Sequence, residues 1–278
     1  MPSSSRRTIA GDPPAPPDSH ELGATDESLD RMQRWFGEHG DTYRVFAPAR
    51  GSWTWIVHHP DDVKRVLVTN HRNYTKGVGI DRVRMLLGNG IMTSEGEFWR
   101  RQRRMLQPAF HRRVIQRFAG VIRARNGALL ERWQRAAELR ETVNLTESMS
   151  QLALEVVLHA IFSEDLGRLV SHLADNPFLL VTREPKRDPQ FAFAFRQLGQ
   201  VVQQIVRQRR ASGHRHFDFA QMLMESVDRD SGQGINEREL IDEILTLVVA
   251  GHETTASALN WTWWLLSQHP DVEQRLHA

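Results

Sequence analysis

Apolar and polar positions alternate with two different periods along this chain. Between residues 42 and 57 the period is two: Thr42-Tyr43-Arg44-Val45-Phe46-Ala47 and Trp53-Thr54-Trp55-Ile56-Val57 read as β-strands, and Pro48-Ala49-Arg50-Gly51 between them predicts a hairpin. Before them, residues 29–38 carry the stripe of a short amphipathic helix that stops at Gly40-Asp41. After them, His59-Pro60-Asp61-Asp62 places proline near a first helical position with acids in the first turn, which is a helix start. From Trp99 onward the period is helical, broken near Pro108, 142–146, Asn176-Pro177, 185–189, 212–216 and 231–234. Strands before and helices after, without strand–helix–strand alternation, predict a mainly α protein with a small β-sheet. Residues 78–95 and 163–190 have the weakest periodicity and are expected to form mobile or lid-like segments.

One helix stands out. Asn236 followed three residues later by Glu239 is a variant capping box, and no proline occurs from Glu237 until Pro270. Residues 237–268 would run roughly 48 Å at about 1.5 Å per residue. In the middle lies Val249-Ala250-Gly251-His252-Glu253-Thr254-Thr255-Ala256. Glycine at a helix centre costs about 1 kcal/mol against alanine, and adjacent threonines are poor helix formers. Ala250, Thr254, Ser257 and Ala258 share one face, a small-residue stripe on which a flat group can lie close to the backbone. A threonine hydroxyl there can bond back to the carbonyl four residues earlier, and Glu253 beside it can relay protons. An ordinary long core helix with a tolerated glycine would also account for the pattern. Zinc-protease chemistry would not, because the His-Glu-x-x-His motif needs a second histidine at position 256, which is Ala256.

Composition narrows the chemistry. The chain has 278 residues, 40% of them hydrophobic and 25% charged, as in an ordinary globular protein. It has no cysteine, which excludes disulfides, thiolate-bound zinc, iron–sulfur clusters and any thiol nucleophile or thiolate ligand supplied by this chain. With 36 Lys+Arg against 34 Asp+Glu, the total charge implies no polyanion partner. No stretch reaches the length a bilayer requires, and a Pro-rich run follows Arg6-Arg7 where a signal sequence would have its apolar core. Residues 1–24 are therefore expected to be a disordered leader, 25–278 the folded domain, and the cytoplasm the location. His214 and His216 lie in a polar loop with no third ligand nearby, so no metal site is expected there.

Ala250-Gly251-His252-Glu253-Thr254-Thr255 resembles the signature on the long central helix of the haem-thiolate monooxygenases, the cytochromes P-450. Upstream, Trp99-Arg100-Arg101-Gln102-Arg103 followed by Pro108-Ala109-Phe110 is similar to that family's Trp-x-x-x-Arg helix and the turn after it. The order of the strands, the His-Pro-Asp helix start and Asn73-Tyr74 also fits, so the resemblance covers about residues 25–278. It implies that Trp99 and Arg103 hydrogen-bond a haem propionate, where a guanidinium matches a carboxylate in a bidentate way. It further implies that Ala250 and Gly251 lie against the porphyrin. Thr254 would stabilise dioxygen at the haem and, with Glu253, deliver protons for O–O cleavage. The implied activity is insertion of one oxygen atom of O2 into a small hydrophobic substrate, with electrons from a ferredoxin or flavodoxin-like donor or a fused reductase.

The family's Glu-x-x-Arg pair and its cysteine ligand have no counterpart in this sequence. The expectation is an N-terminal portion of such an enzyme that is inactive alone, with no metal ligand of its own. A non-catalytic helical ligand-binding remnant of the same fold is the alternative. Twelve arginines against two acids between Trp99 and Arg140 also admit a nucleic-acid-binding reading, though no reader motif accompanies them. Within the resemblance, Arg100, Arg101, Arg104, Arg112 and Arg113 would steer the electron donor. The expected substrate pocket is bounded by residues 78–95, parts of 163–195 and the long helix, with Val83, Met85, Leu86 and Leu87 on its wall.

Overall fold

A computed structural model gives the fold and describes residues 11–23, 25–77, 79–170, 176–182 and 189–277. The chain forms two compact units, residues 1–75 and 76–278. In the first, helix α1 (Asp26–His39) starts where the Thr25 hydroxyl accepts the Ser28 N–H and stops at Gly40, whose φ of 79° an L side chain would resist. Strands β1 (Thr42–Ala47) and β2 (Ser52–Val57) then pair antiparallel, Thr42 opposite Val57 and Ala47 opposite Ser52. The joining turn closes through Gly51 in the left-handed region. Alternation on β1 turns Tyr43 and Val45 inward onto Trp35. Trp53 and Trp55 stay exposed on β2, and Arg44 stacks over the Trp53 ring at 4.3 Å. Helix α2 (Pro60–Lys64) follows His59 as the sequence predicts.

Residues 1–10 of the expected leader lie outside the described residues, and the segment from Gly11 to Gly23 runs along β1. The Pro14 carbonyl accepts the Arg44 N–H at 3.0 Å, the Phe46 carbonyl accepts the His20 N–H at 3.0 Å, and Pro13 and Pro16 are buried. Proline lacks a donor but keeps its carbonyl, so a Pro-rich strand can cover an open sheet edge.

The second unit contains helices α3 (Gly79–Leu87), α4 (Gly96–Leu106), α5 (Arg112–Arg117), α6 (Ala119–Glu138), α7 (Leu145–Phe162), α8 (Asp165–Val170), α9 (Pro189–Ser212), α10 (Phe219–Met224), α11 (Glu237–Gln268) and α12 (Pro270–His277). The capping box predicted for α11 is present in full: Asn236 accepts the Glu239 N–H at 2.9 Å, and Glu239 accepts the Asn236 N–H at 3.1 Å. The core lies where α7, α9, α10 and α11 meet, around Leu154, Leu158, Leu198, Val202, Leu223 and Ile244. Within it Arg209 is only 4% exposed, and it donates to both carboxylate oxygens of Asp218, to Asp165 and to the Phe162 carbonyl. On the far side of α11, Trp261, Trp264 and Leu265 are exposed. No helix among the described residues is long and apolar enough to cross a membrane.

Candidate functional site

Gly251 sits where α11 crosses α7. A Cβ added to it would come within 3.0 Å of Val157 Cγ2, so the glycine permits the close approach of the two helices. Its neighbour His252 is buried on the same side, its Nε2 2.9 Å from the Ser150 hydroxyl of α7, and burial holds the imidazole below its ordinary pKa against the nearby Glu253 charge. Ala250, Thr254, Ser257 and Ala258 are all exposed. The Thr254 hydroxyl donates to the Ala250 carbonyl at 2.7 Å, the back-bond expected from the sequence.

A cleft of about 570 Å³ opens beside this stretch. Its α11 wall is Val249, His252, Glu253, Ala256, Ser257 and Asn260; Thr146 and Ser150 come from α7, and α3 contributes Arg82, Val83, Leu86 and Leu87. Met92, Val181, Thr182 and Phe195 complete it. The segments expected to bound a pocket do so, with one change: Met85 is 68% exposed and does not line it, because on α3 it lies opposite the face that carries Val83, Leu86 and Leu87.

Residues 88–95 are tied down. Asp242 accepts the Asn89 N–H at 2.8 Å and Glu243 the Ile91 N–H at 3.0 Å. Lys76 Nζ donates to the carbonyls of Met92 and Ser94, and Arg84 to that of Thr93. Gly88 and Gly90 make the close seat possible: a Cβ on Gly90 would lie 2.4 Å from the Thr246 hydroxyl, and one on Gly88 would overlap the Asp242 carboxylate. The pocket-lining Met92 thus rests on a fixed loop. Glu243 is fully buried and its carboxyl is pushed up to about 7 by that burial; Asp242 and Glu239 push the same way, against the Ile91 N–H and Lys76.

On α4, three of four arginines are paired. Arg100 meets Glu97; Arg101 bonds Glu239 and the Gly234 carbonyl; Arg104 grips Asp228 and Asp230. Arg103 is exposed and has no hydrogen bond or ion pair among the described residues, and Trp99, one turn earlier and half-buried, has no partner for its indole N–H. Arg101 and Arg104, expected to steer an electron donor, are held in these ion pairs, whereas Arg112 and Arg113 are exposed. Arg100, Arg101 and Arg104 are thus three of the twelve arginines between Trp99 and Arg140 whose charge is met internally.

Of the six residues the sequence singles out, Glu253 lines the cleft, Gly251 faces Val157, and Ala250 and Thr254 lie on the open face of α11. Trp99 and Arg103 belong to α4, which contributes nothing to the cleft wall. Ser150, Asp242, Glu243 and Asn260 were not legible as site residues, since no motif marks them. The residues present fit the periphery of a haem: an unpaired guanidinium beside an indole N–H can receive a carboxylate, and an open small-residue face can receive a flat ring. The thiolate ligand that the resemblance implies for its iron is not among them, since the sequence has no cysteine.

A mainly helical unit, with a long capped helix carrying Gly-His-Glu-Thr-Thr beside an apolar cleft, defines a haem-monooxygenase-like helical fold. The chain belongs to the cytochrome P-450 family, whose model matches residues 19–278. Among its relatives, the cyclooctat-9-en-7-ol 5-monooxygenase of Streptomyces melanosporofaciens is 32% identical over 86% of this chain and 54% of its own length. Pentalenene oxygenase of Streptomyces avermitilis is 29% identical over 86% of this chain and 55% of its own length. The chain thus spans about half the length of the curated relatives it matches.

Proposed function

We propose that this chain forms the substrate-binding and proton-delivering side of a haem monooxygenase that inserts one oxygen atom of O2 into a hydrophobic organic substrate. The observation that carries the reading is the apolar cleft against the centre of α11, with Glu253 on its wall and Thr254 adjacent. Trp99 and Arg103 would hold a haem propionate, and Ala250, Gly251 and Thr254 would form the face on which the ring lies. Haem, when bound, supplies the activation of dioxygen. The chain's own residues do the rest. Val83, Leu86, Leu87, Met92, Val181 and Phe195 seat an apolar skeleton and exclude water. Glu253, exposed yet on the cleft wall, can take protons from solvent and release them inward. The Thr254 hydroxyl, its hydrogen donated to the Ala250 carbonyl, keeps its oxygen lone pairs available to accept a hydrogen bond. The two relatives are named as oxygenases of cyclooctat-9-en-7-ol and of pentalenene, and a cleft of about 570 Å³ has room for a hydrophobic small molecule. Electrons would come from a separate donor or a fused reductase, with Arg112 and Arg113 as the exposed charges for docking.

The test is a porphyrin titration. Iron protoporphyrin and its propionate dimethyl ester are added to the chain and to Arg103→Ala, with binding read from tryptophan quenching. The free acid is expected to bind about tenfold more tightly than the ester in the wild type and with no preference in the variant. Equal binding of acid and ester by the wild-type chain would remove Arg103 from the site.

A further inference from the structure

Charge is sparse on the cleft wall. Among the lining residues Arg82 is the one permanent cation and Glu253 the one acid, since burial holds the His252 imidazole below its ordinary pKa. Arg82 and Glu253 do not pair with each other, and neither has an ion pair among the described residues. Arg84, two positions further along α3, behaves differently. It bonds Asp81 at 2.9 Å and the Thr93 carbonyl at 2.6 Å, so the acid next to Arg82 in the chain is already taken. The Arg82 charge is left uncompensated. One turn before Leu86 and adjacent to Val83, Arg82 shares with them the face of α3 that lines the cleft. It is also exposed, which puts its guanidinium at the mouth, in water, with apolar side chains further in.

We propose that Arg82 is a specificity-determining residue of the cleft, and that the substrate is an apolar monocarboxylic acid whose carboxylate meets the Arg82 guanidinium while its hydrocarbon body lies among Val83, Leu86, Met92 and Phe195. The proposal rests on reading the cleft as the substrate site. A guanidinium receives a carboxylate through two parallel N–H···O bonds, a match that an ester or an alcohol does not reproduce. One cation balances one negative charge, which favours a monoanion over a phosphate ester carrying nearly two. An ammonium group would be repelled by Arg82 and would turn to Glu253 instead. Because the guanidinium is at the mouth, the carboxylate keeps part of its hydration and only the apolar body leaves water, so little desolvation opposes binding.

The test titrates decanoic acid, methyl decanoate and decylamine into the full 278-residue chain near neutral pH, with binding read by ligand-observed NMR. The acid is expected to bind about fivefold more tightly than the ester in about 0.01 M salt, and the preference should shrink at about 0.15 M. Arg82→Gln should abolish the preference while leaving ester affinity within about twofold. Arg82→Glu should reverse it, so that decylamine binds more tightly than the acid, a gain that loss of folding cannot produce. Arg123→Gln, at an exposed arginine on α6, should keep the wild-type preference, which separates Arg82 from the general charge of the chain. Equal binding of acid and ester by the wild type, a preference that survives Arg82→Gln, or tightest binding of the amine would each overturn the proposal while leaving the cleft as an apolar site. Failure of all three probes to bind would overturn both the proposal and the reading of the cleft, and the porphyrin titration would still report separately on haem binding.

Discussion

Glu243→Gln isolates the charge carried by the loop clasp. Glu243 is fully buried on α11, one oxygen accepting the Ile91 N–H while the other has no partner. Its pKa in the folded chain, raised from the ordinary 4.5 to about 7 chiefly by desolvation, means that the folded state holds its proton over a range where the unfolded chain has lost it. Stability from this group is therefore fully present below pH 4.5 and falls as pH rises to about 7, after which it is flat. At about 1.36 kcal/mol per pH unit the difference is about 3 kcal/mol. Glutamine keeps the acceptor for Ile91 and has no charge to bury. Guanidinium unfolding followed by tryptophan fluorescence should therefore show the variant gaining on the wild type by about 3 kcal/mol between pH 4.5 and pH 8. Asp242, also raised by burial, is present in both proteins. A stability difference that does not change with pH would refute the buried, protonated state of Glu243.

Gly90→Ala places a Cβ 2.4 Å from the Thr246 hydroxyl and 2.8 Å from the Asp242 carbonyl, both on α11, and should destabilise by about 1–3 kcal/mol in thermal unfolding. An unchanged Tm would mean that the loop does not seat on that helix. Arg209→Ala leaves Asp218 buried without its cation and should cost about 3–5 kcal/mol, measured by denaturant midpoint; a loss under about 1 kcal/mol would refute the buried pairing. Iron protoporphyrin added to the chain, reduced and exposed to carbon monoxide, should give no thiolate-type Soret band, because the sequence contains no cysteine. Such a band from this chain alone would contradict the assignment of its residues to the periphery of the haem.

The elements legible from sequence were those built on local signals. The hairpin followed from alternation in residues 42–57 and from Gly51, and helix α11 from Asn236, Glu239 and the proline-free run to Pro270. The ordering of residues 11–23 was not legible, because composition reports how a segment behaves alone and not whether a sheet edge waits for it. The loop at 88–95 shows the same limit. Its weak periodicity reflected a backbone whose N–H groups are met by Asp242 and Glu243, about 150 positions away, and not by its own turns.

By itself, then, the sequence determined the hairpin and the long helix α11, the absence of a cysteine ligand, and the identity of Glu253 and Thr254 as residues of interest. Periodicity, capping and composition are properties of neighbouring positions, so they can be read in one dimension. Only the tertiary structure decided that Gly251 faces Val157, that Arg103 is the guanidinium on α4 left unpaired, and that Asn260 has a buried oxygen with no donor. Whether a polar atom is met or unmet depends on which distant segment is packed over it, and that information resides in the folded arrangement of the helices.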